Sequence, residues 1–430
     1  MAACRSGVFI IVSAILLVSA SNPSKTGDEV PSNLVNNDHI YSERVKSVQL
    51  YIQTAAMNSA LYPPISSIQQ PHPFLLEFDE INEDARYYQA KIIHCNWDWS
   101  PSNLLAIEYM DDYNEIESQS YNYSLNTKVP YTHYRFVLPR LKIPGNFLVY
   151  VYDRDNPDNL LLSRRLMIYD NSIKLLPELT YSSGIAERST NQQINFTLSY
   201  QGVNVMNPIS DFKVVIRQNY SWHNAITGLQ PTQINDQQQT LEYRSFNLEN
   251  NFQGGNEYRY IDMRSSVSAG RNIERIINKP GSIDAFVAID KPRGDQPYVL
   301  WQDMDGAYAL GTLDGKDAST EADYINTHFF LHTGTKISSD VYFFGEITFG
   351  ELLPEFKMTY DSDLGGYTGS FLLKEGYYEY QYITSANPYE VEGSHFETEN
   401  TYEIFVYYRP PSRIYDVLGG YTVFKSTGNN

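Results

Sequence analysis

Cysteine is nearly absent: the 430-residue chain holds two, Cys4 and Cys95. Cys4 falls inside a predicted secretory signal peptide, residues 1–20. There Arg5 precedes the apolar run Val8–Val18, and Val18-Ser19-Ala20 supplies a small-residue cleavage site. Once that segment is removed, Cys95 has no partner and no internal disulfide can form. The plainer reading of Cys95 is a buried small hydrophobe rather than a nucleophile. Apart from Val8–Val18, no long apolar run is evident, and that run is shorter than the roughly 20 residues a spanning helix needs. No lipidation cysteine follows it, so neither membrane insertion nor a lipid anchor is predicted. Basic residues are scarce as well: 32 Lys and Arg against 51 Asp and Glu give a net charge of −19. That balance excludes nucleic acid and docking on anionic lipid, both of which need clustered positive charge.

Motifs for chemistry are also missing. There is no G-x-S-x-G elbow, no H-E-x-x-H, no phosphate-binding glycine loop and no C-x-x-C. His328 and His332 would make a metal pair on a helix, but Thr327-His328-Phe329-Phe330-Leu331-His332 reads as a strand. There the two rings stand about 13 Å apart, too far for one ion. Asp303, Asp305 and Gly306, and likewise Asp153, Asp155 and Asp158, faintly resemble calcium loops. The full ligand spacing is lacking, so hairpin turns are the plainer reading. Acid pairs such as Asp111-Asp112 or Glu115 with Glu117 are expected on the solvated surface rather than in a glycosidase cleft. No catalytic residue, cofactor or metal is predicted.

What the chain does have is tyrosine, 36 of them, within a composition that is 42% hydrophobic. Aromatic and β-branched residues fit a half-buried pleated surface. From about residue 45 the dominant period is two. Val48, Leu50 and Ile52 share a face, as do Ile93, Cys95 and Trp97, Tyr134, Phe136 and Leu138, and Ile194, Phe196 and Leu198. Phe147–Tyr152 is apolar on both faces, as in a central strand. Pro, Gly, Asn and Asp punctuate these runs. One short helix is expected, with Pro101 at its first position and Leu104, Leu105 and Ile107 on it. The predicted fold is all-β: tandem antiparallel β-sandwich (immunoglobulin-like) domains with few short helices. The expected division is a flexible leader at 21–40, an N-terminal sandwich at 41–170, a middle β-domain at 171–292, a C-terminal sandwich at 293–425 and a tail at 426–430.

With no active constellation, function is sought in binding. Trp97 and Trp99 lie two apart, so on an extended segment both rings face one side. Exposed rings of this kind anchor a protein partner or stack on sugars. Trp97, Trp99 and Tyr408 are the predicted partner contacts, provided they are exposed.

Residues 90–99 (AKIIHCNWDW), followed by Pro101-Ser102-Asn103-Leu104, carry a resemblance that continues along the chain. It runs through 129–136 (VPYTHYRF), Asn207-Pro208, Gln218-Asn219 with Trp222, and 254–264 (GGNEYRYIDMR). It ends in Glu321-Ala322-Asp323-Tyr324, 374–380 (KEGYYEY), 392–400 (EGSHFETEN) and Val406-Tyr407-Tyr408-Arg409. Together these resemble the plug proteins of the type IX secretion system of Bacteroidota. The resemblance implies a periplasmic β-rich protein at the outer membrane. It implies a large translocon barrel as partner, whose periplasmic mouth the plug caps when no cargo is bound, and a monomeric subunit within that hetero-complex. It carries over no catalytic residues. The alternative is an outer-membrane or periplasmic glycan-binding β-sandwich protein.

Overall fold

The computed structural model describes residues 30–54, 59–71, 73–82 and 84–426. The predicted signal peptide, residues 21–29 of the leader and residues 427–430 of the tail lie outside the described residues. Of the described residues 46% are strand and 4% helix, as in an all-β sandwich protein.

Three sandwich modules form, each with its own apolar core. In the first, Val45–Ile52, Phe74–Glu80, Thr132–Val137 and Ser120–Tyr123 make a four-stranded sheet. It packs against a six-stranded sheet built on Tyr88–Cys95, Gly145–Asp153 and Asn156–Tyr169. The central strand Gly145–Asp153 explains its doubly apolar sequence. Phe147, Val149 and Val151 face the first core, while Leu148 faces a second apolar cluster shared with the next module. The stretch Asp153–Asn156 is the expected hairpin turn, with Asp153 Oδ1 accepting the Asp155 N–H at 3.0 Å.

Part of the stretch read as a loose leader is fastened. His39–Ile40 pairs with Ser163 and Leu162, Asp38 accepts the Arg165 N–H at 2.9 Å, and its carboxylate lies 3.2 Å from the Arg164 guanidinium. These bonds hold residues 36–41 against the edge of the first module.

The strand pairing cuts across the boundary expected at 292/293. Thr401–Tyr408 pairs with Lys213–Gln218 and Val417–Lys425, completing the second module with strands from the end of the chain. Arg259–Asp262 pairs instead with Gly376–Thr384, and Ser282–Val287 runs parallel to Tyr324–His332. So the second core draws on Ile173–Phe252 and Tyr402–Val417, and the third on Ile261–Val391. The third module is an insertion in the second. Side-chain periodicity says that a strand has a buried face, but not which distant strand lies beside it, and that is where the sequence reading failed.

The expected helix also differs. Pro101 forms a bridge with Cys95, so the chain stays extended, and the helix covers only Ala106–Tyr109. Its start is held by the Glu108 carboxylate, which accepts the Leu105 N–H at 2.7 Å.

Candidate functional site

The seams between modules hold the most concentrated polar and aromatic chemistry of the chain. The first–second seam grows from the turn after Tyr88–Cys95. Asn96 N donates to Ser100 O at 2.8 Å and Trp99 N to Asn96 O at 3.0 Å, which drives Trp99 to φ 65°. A bulky residue there is uncommon and needs its surroundings to hold it. Those surroundings are Trp222 of the second module, edge-on at 5.5 Å, and the Arg165 guanidinium over the Trp99 ring at 4.5 Å. Cys95, Leu148, Met167, Val215, Phe405 and Leu418 fill the rest. Cys95 is buried, and burial pushes its thiol up to about 12, so it is the inert hydrophobe expected. Beside this cluster, buried Arg217 donates to Glu403 at 2.6 Å.

The placement of the predicted contacts follows. Trp99 is 5% exposed and Tyr408 9% exposed. Trp97 is half-buried against the same seam, and its backbone N–H donates to Asp416 Oδ2 at 3.1 Å. Tyr408 belongs to the second core, beside Phe212. The tight turn breaks the alternation that would have put Trp97 and Trp99 on one exposed face. Trp99 and Tyr408 join parts of the same chain and present no ring to a partner.

The first–third seam centres on Lys374 and Asp79, each 1% exposed, with Nζ and Oδ2 2.6 Å apart. The Tyr324 hydroxyl donates to the same oxygen at 2.7 Å, His133 Nδ1 lies 2.7 Å from the other, and the Lys374 ammonium sits 4.2 Å above the Tyr131 ring. Burial pushes the Asp79 carboxyl up, but Lys374 and His133 outweigh it and hold it below the usual range. Burial opposes a charge on His133, yet its bonds to Asp79 and Glu77 raise it to about 9.

At the second–third seam the chain crosses twice. A Cβ on Gly254 would stand 1.9 Å from the His395 carbonyl oxygen, so only glycine lets the two crossings touch. Asn400 Nδ2 donates to Gly254 O at 2.8 Å and to Gln192 at 3.0 Å. Buried and half-buried carboxyls cluster alongside. Glu257 accepts from the Tyr298 hydroxyl and from Glu399 N–H. Asp303 accepts from Tyr258 N–H at 2.6 Å, Asp305 from the Thr401 hydroxyl at 2.8 Å, and Glu379 from Met304 N–H at 2.7 Å. Burial lifts Asp303 to about 7, Asp305 to about 6 and Glu379 to about 8. Asp303-Met304-Asp305-Gly306 is therefore a turn that bonds backbone amides. Among the described residues no group of three or more His, Cys, Asp or Glu could hold a metal ion.

These raised values set a pH dependence. The folded chain keeps protons on Asp305, Asp303 and Glu379 that the unfolded chain has released by about pH 5. Their stabilisation is full below the unfolded pKa and disappears as pH rises through about 6 to 8. His133 acts in the same direction between its unfolded value near 6.5 and about 9. The melting temperature is therefore expected to fall from pH 5 to pH 8.5, and Asp303→Asn should flatten that slope. A melting temperature that rises over this range would refute the assignment.

At the remaining sites the plain readings hold. His328 bonds Ser370 at 2.8 Å and Asp284 at 2.9 Å on a strand. Asp111 pairs with Lys142 at the surface. The sequence reading missed the seams themselves. Their signal was the set of fragments quoted above: 90–99, 129–136, 254–264, 374–380 and 392–400 all have residues at these seams. Across the junction of the three modules runs a cavity of about 70 Å³, lined by Arg164, Arg217, Asp305 and Glu346 among others. Among the described residues, no helix is long and apolar enough to cross a membrane.

No curated protein matches the chain. A crystal structure of a hypothetical protein from Parabacteroides merdae is similar: 28% identity, a TM-score of 0.84, and coverage of 90% of this chain and 99% of that one. Residues 45–170, which contain the first sandwich and its half of the Trp99 and Asp79 seams, match the model of the type 9 secretion system plug protein 1st domain. That match supports the resemblance of the chain to the type 9 secretion system plug family.

Proposed function

We propose that the chain is a non-enzymatic periplasmic subunit that caps the periplasmic mouth of the type IX translocon barrel when no cargo occupies it. The observation that carries this reading is the match of residues 45–170 to a plug domain rather than to an enzyme family. The seams support it physically. A cap must resist deformation over a wide aqueous opening, and three sandwiches joined by buried polar and aromatic contacts behave as one body. Export by the N-terminal signal peptide and association with the outer membrane belong to the same reading. The glycan-binding alternative loses its motivating observation, because Trp99 is buried and Trp97 half-buried inside the chain.

Gentle detergent extraction of the tagged protein, followed by mass spectrometry, is the test. Recovery of a very large outer-membrane barrel protein is expected. Recovery of glycan-uptake components in its place, together with retardation in polysaccharide gels, would overturn the reading.

A further inference from the structure

The third module carries an open cleft of about 870 Å³ whose charge runs against that of the chain. Its lining includes four arginines and two aspartates, whereas the whole chain has 32 basic residues to 51 acidic. Both aspartates are already engaged. Asp262 is held by Arg264 through bonds of 2.9 and 2.7 Å, and Asp290 by Arg259 at 2.8 Å. Glu392, behind the cleft, neutralises Arg259 and Arg293. Arg271 is exposed, and among the described residues its guanidinium makes no hydrogen bond or ion pair. The uncompensated positive charge therefore sits at the Arg264–Arg271 end.

The remainder of the cleft is aromatic. Tyr260 and Tyr377 stack with centroids 5.4 Å apart and planes 16° from parallel, and both are half-buried. Trp301 lies under the Arg293 guanidinium at 5.3 Å. Arg259 and Asp262 mark the two ends of one strand, so the Trp301 end and the Arg271 end stand about 10 Å apart. A lone phosphate or sulfate would reach only one of them. A ligand that uses both has a carboxylate for the guanidinium fork and a flat ring a few bonds away.

We propose that this cleft binds a short acidic–aromatic peptide segment of a partner polypeptide. Its carboxylate would sit on Arg271 and Arg264, and its ring against Tyr260, Tyr377 and Trp301. The inference rests on the plug reading only in taking the ligand to be polypeptide.

The test uses the full chain and a fluorescein-labelled Asp-Tyr-Glu-Tyr peptide, with Asn-Tyr-Gln-Tyr as control, read by fluorescence anisotropy. Saturable binding of the acidic peptide is expected, weakening with added salt. Arg271→Glu should weaken it by roughly tenfold or more, since one charge-assisted contact becomes a repulsion. Because the exposed Arg271 side chain makes no hydrogen bond or ion pair among the described residues and only a longer-range attraction to Asp262, the variant's melting temperature should stay close to that of the unaltered protein. Equal affinity for the control peptide, an unchanged affinity in Arg271→Glu, or binding of polygalacturonate but not of peptide would each overturn the proposal. Should Arg271→Glu fail to fold, insensitivity of the unaltered protein's peptide binding to 50–300 mM salt, a range of about tens to hundreds of millimolar chosen for screening, would do so as well. Recovery of the translocon barrel without peptide binding would sink this inference and leave the plug reading standing.

Discussion

Lys374→Met is expected to lower the unfolding free energy by about 3–5 kcal/mol, because it leaves the Asp79 carboxylate buried without its main counter-charge. Asp79 is 1% exposed and also takes bonds from Tyr324 and His133, so it cannot turn to water for compensation. The substitution also removes the largest influence that lowers the Asp79 carboxyl, leaving His133 to oppose the upward push of burial. The Tyr131 ring loses the ammonium above it at the same time. Asp79→Asn with Lys374→Met should be less harmful than the two single losses added together, because the partners act as a unit. Urea midpoints of the three variants measure this. A Lys374→Met midpoint equal to that of the unaltered protein would show that the pair adds nothing to the seam.

The second large effect is expected at Trp99. Truncation to Ala should cost about 3–5 kcal/mol, the range for a buried large aromatic. It also removes the ring that faces Trp222 and carries Arg165. The melting temperature should drop, and limited proteolysis should cut faster between the first and second modules. Trp97→Ala should do less, since Trp97 is half-buried and its recorded bond to Asp416 runs through its backbone. If Trp99→Ala melted normally but no longer recovered the translocon barrel, Trp99 would be a partner contact after all.

Much of the fold was legible because sheet chemistry is local. Alternation at 48–52, 134–138 and 194–198 marks strands whose alternate residues reach the cores. The double apolar face of Phe147–Tyr152 correctly announced a strand covered on both sides. Four things were not legible, each for a physical reason. Pairing between Lys213–Gln218 and Thr401–Tyr408 spans almost two hundred positions, and no nearby residue encodes it. Trp99 left the expected alternation because a turn of four hydrogen-bonding residues reverses the chain at Asn96, and such turns depend on contacts made later. Pro101, a good first residue for a helix, is equally compatible with the extended bridge it forms with Cys95. Tyr378, Tyr380 and Tyr382 are buried in the third core, while Tyr377 on the opposite face lines the arginine cleft. That cleft was invisible because Arg259 and Arg264 of one stretch meet Arg271 and Arg293 of two others only in the fold.

The insertion of the third module gives the chain an unusual order of assembly. During synthesis the first sandwich holds all its strands once residue 169 has emerged, and the third once residue 384 has. The second waits longest. Its four-stranded sheet lacks Thr401–Tyr408 and Val417–Lys425 until residue 425 has emerged, after every strand of the other two modules. Until then, the apolar faces of Lys213–Gln218 and Asn191–Ser199 have no lasting cover, which is the condition under which nascent chains attract chaperones or aggregate. The second module is thus the last of the three to close, and Thr401–Tyr408 with Val417–Lys425 serve as its latch.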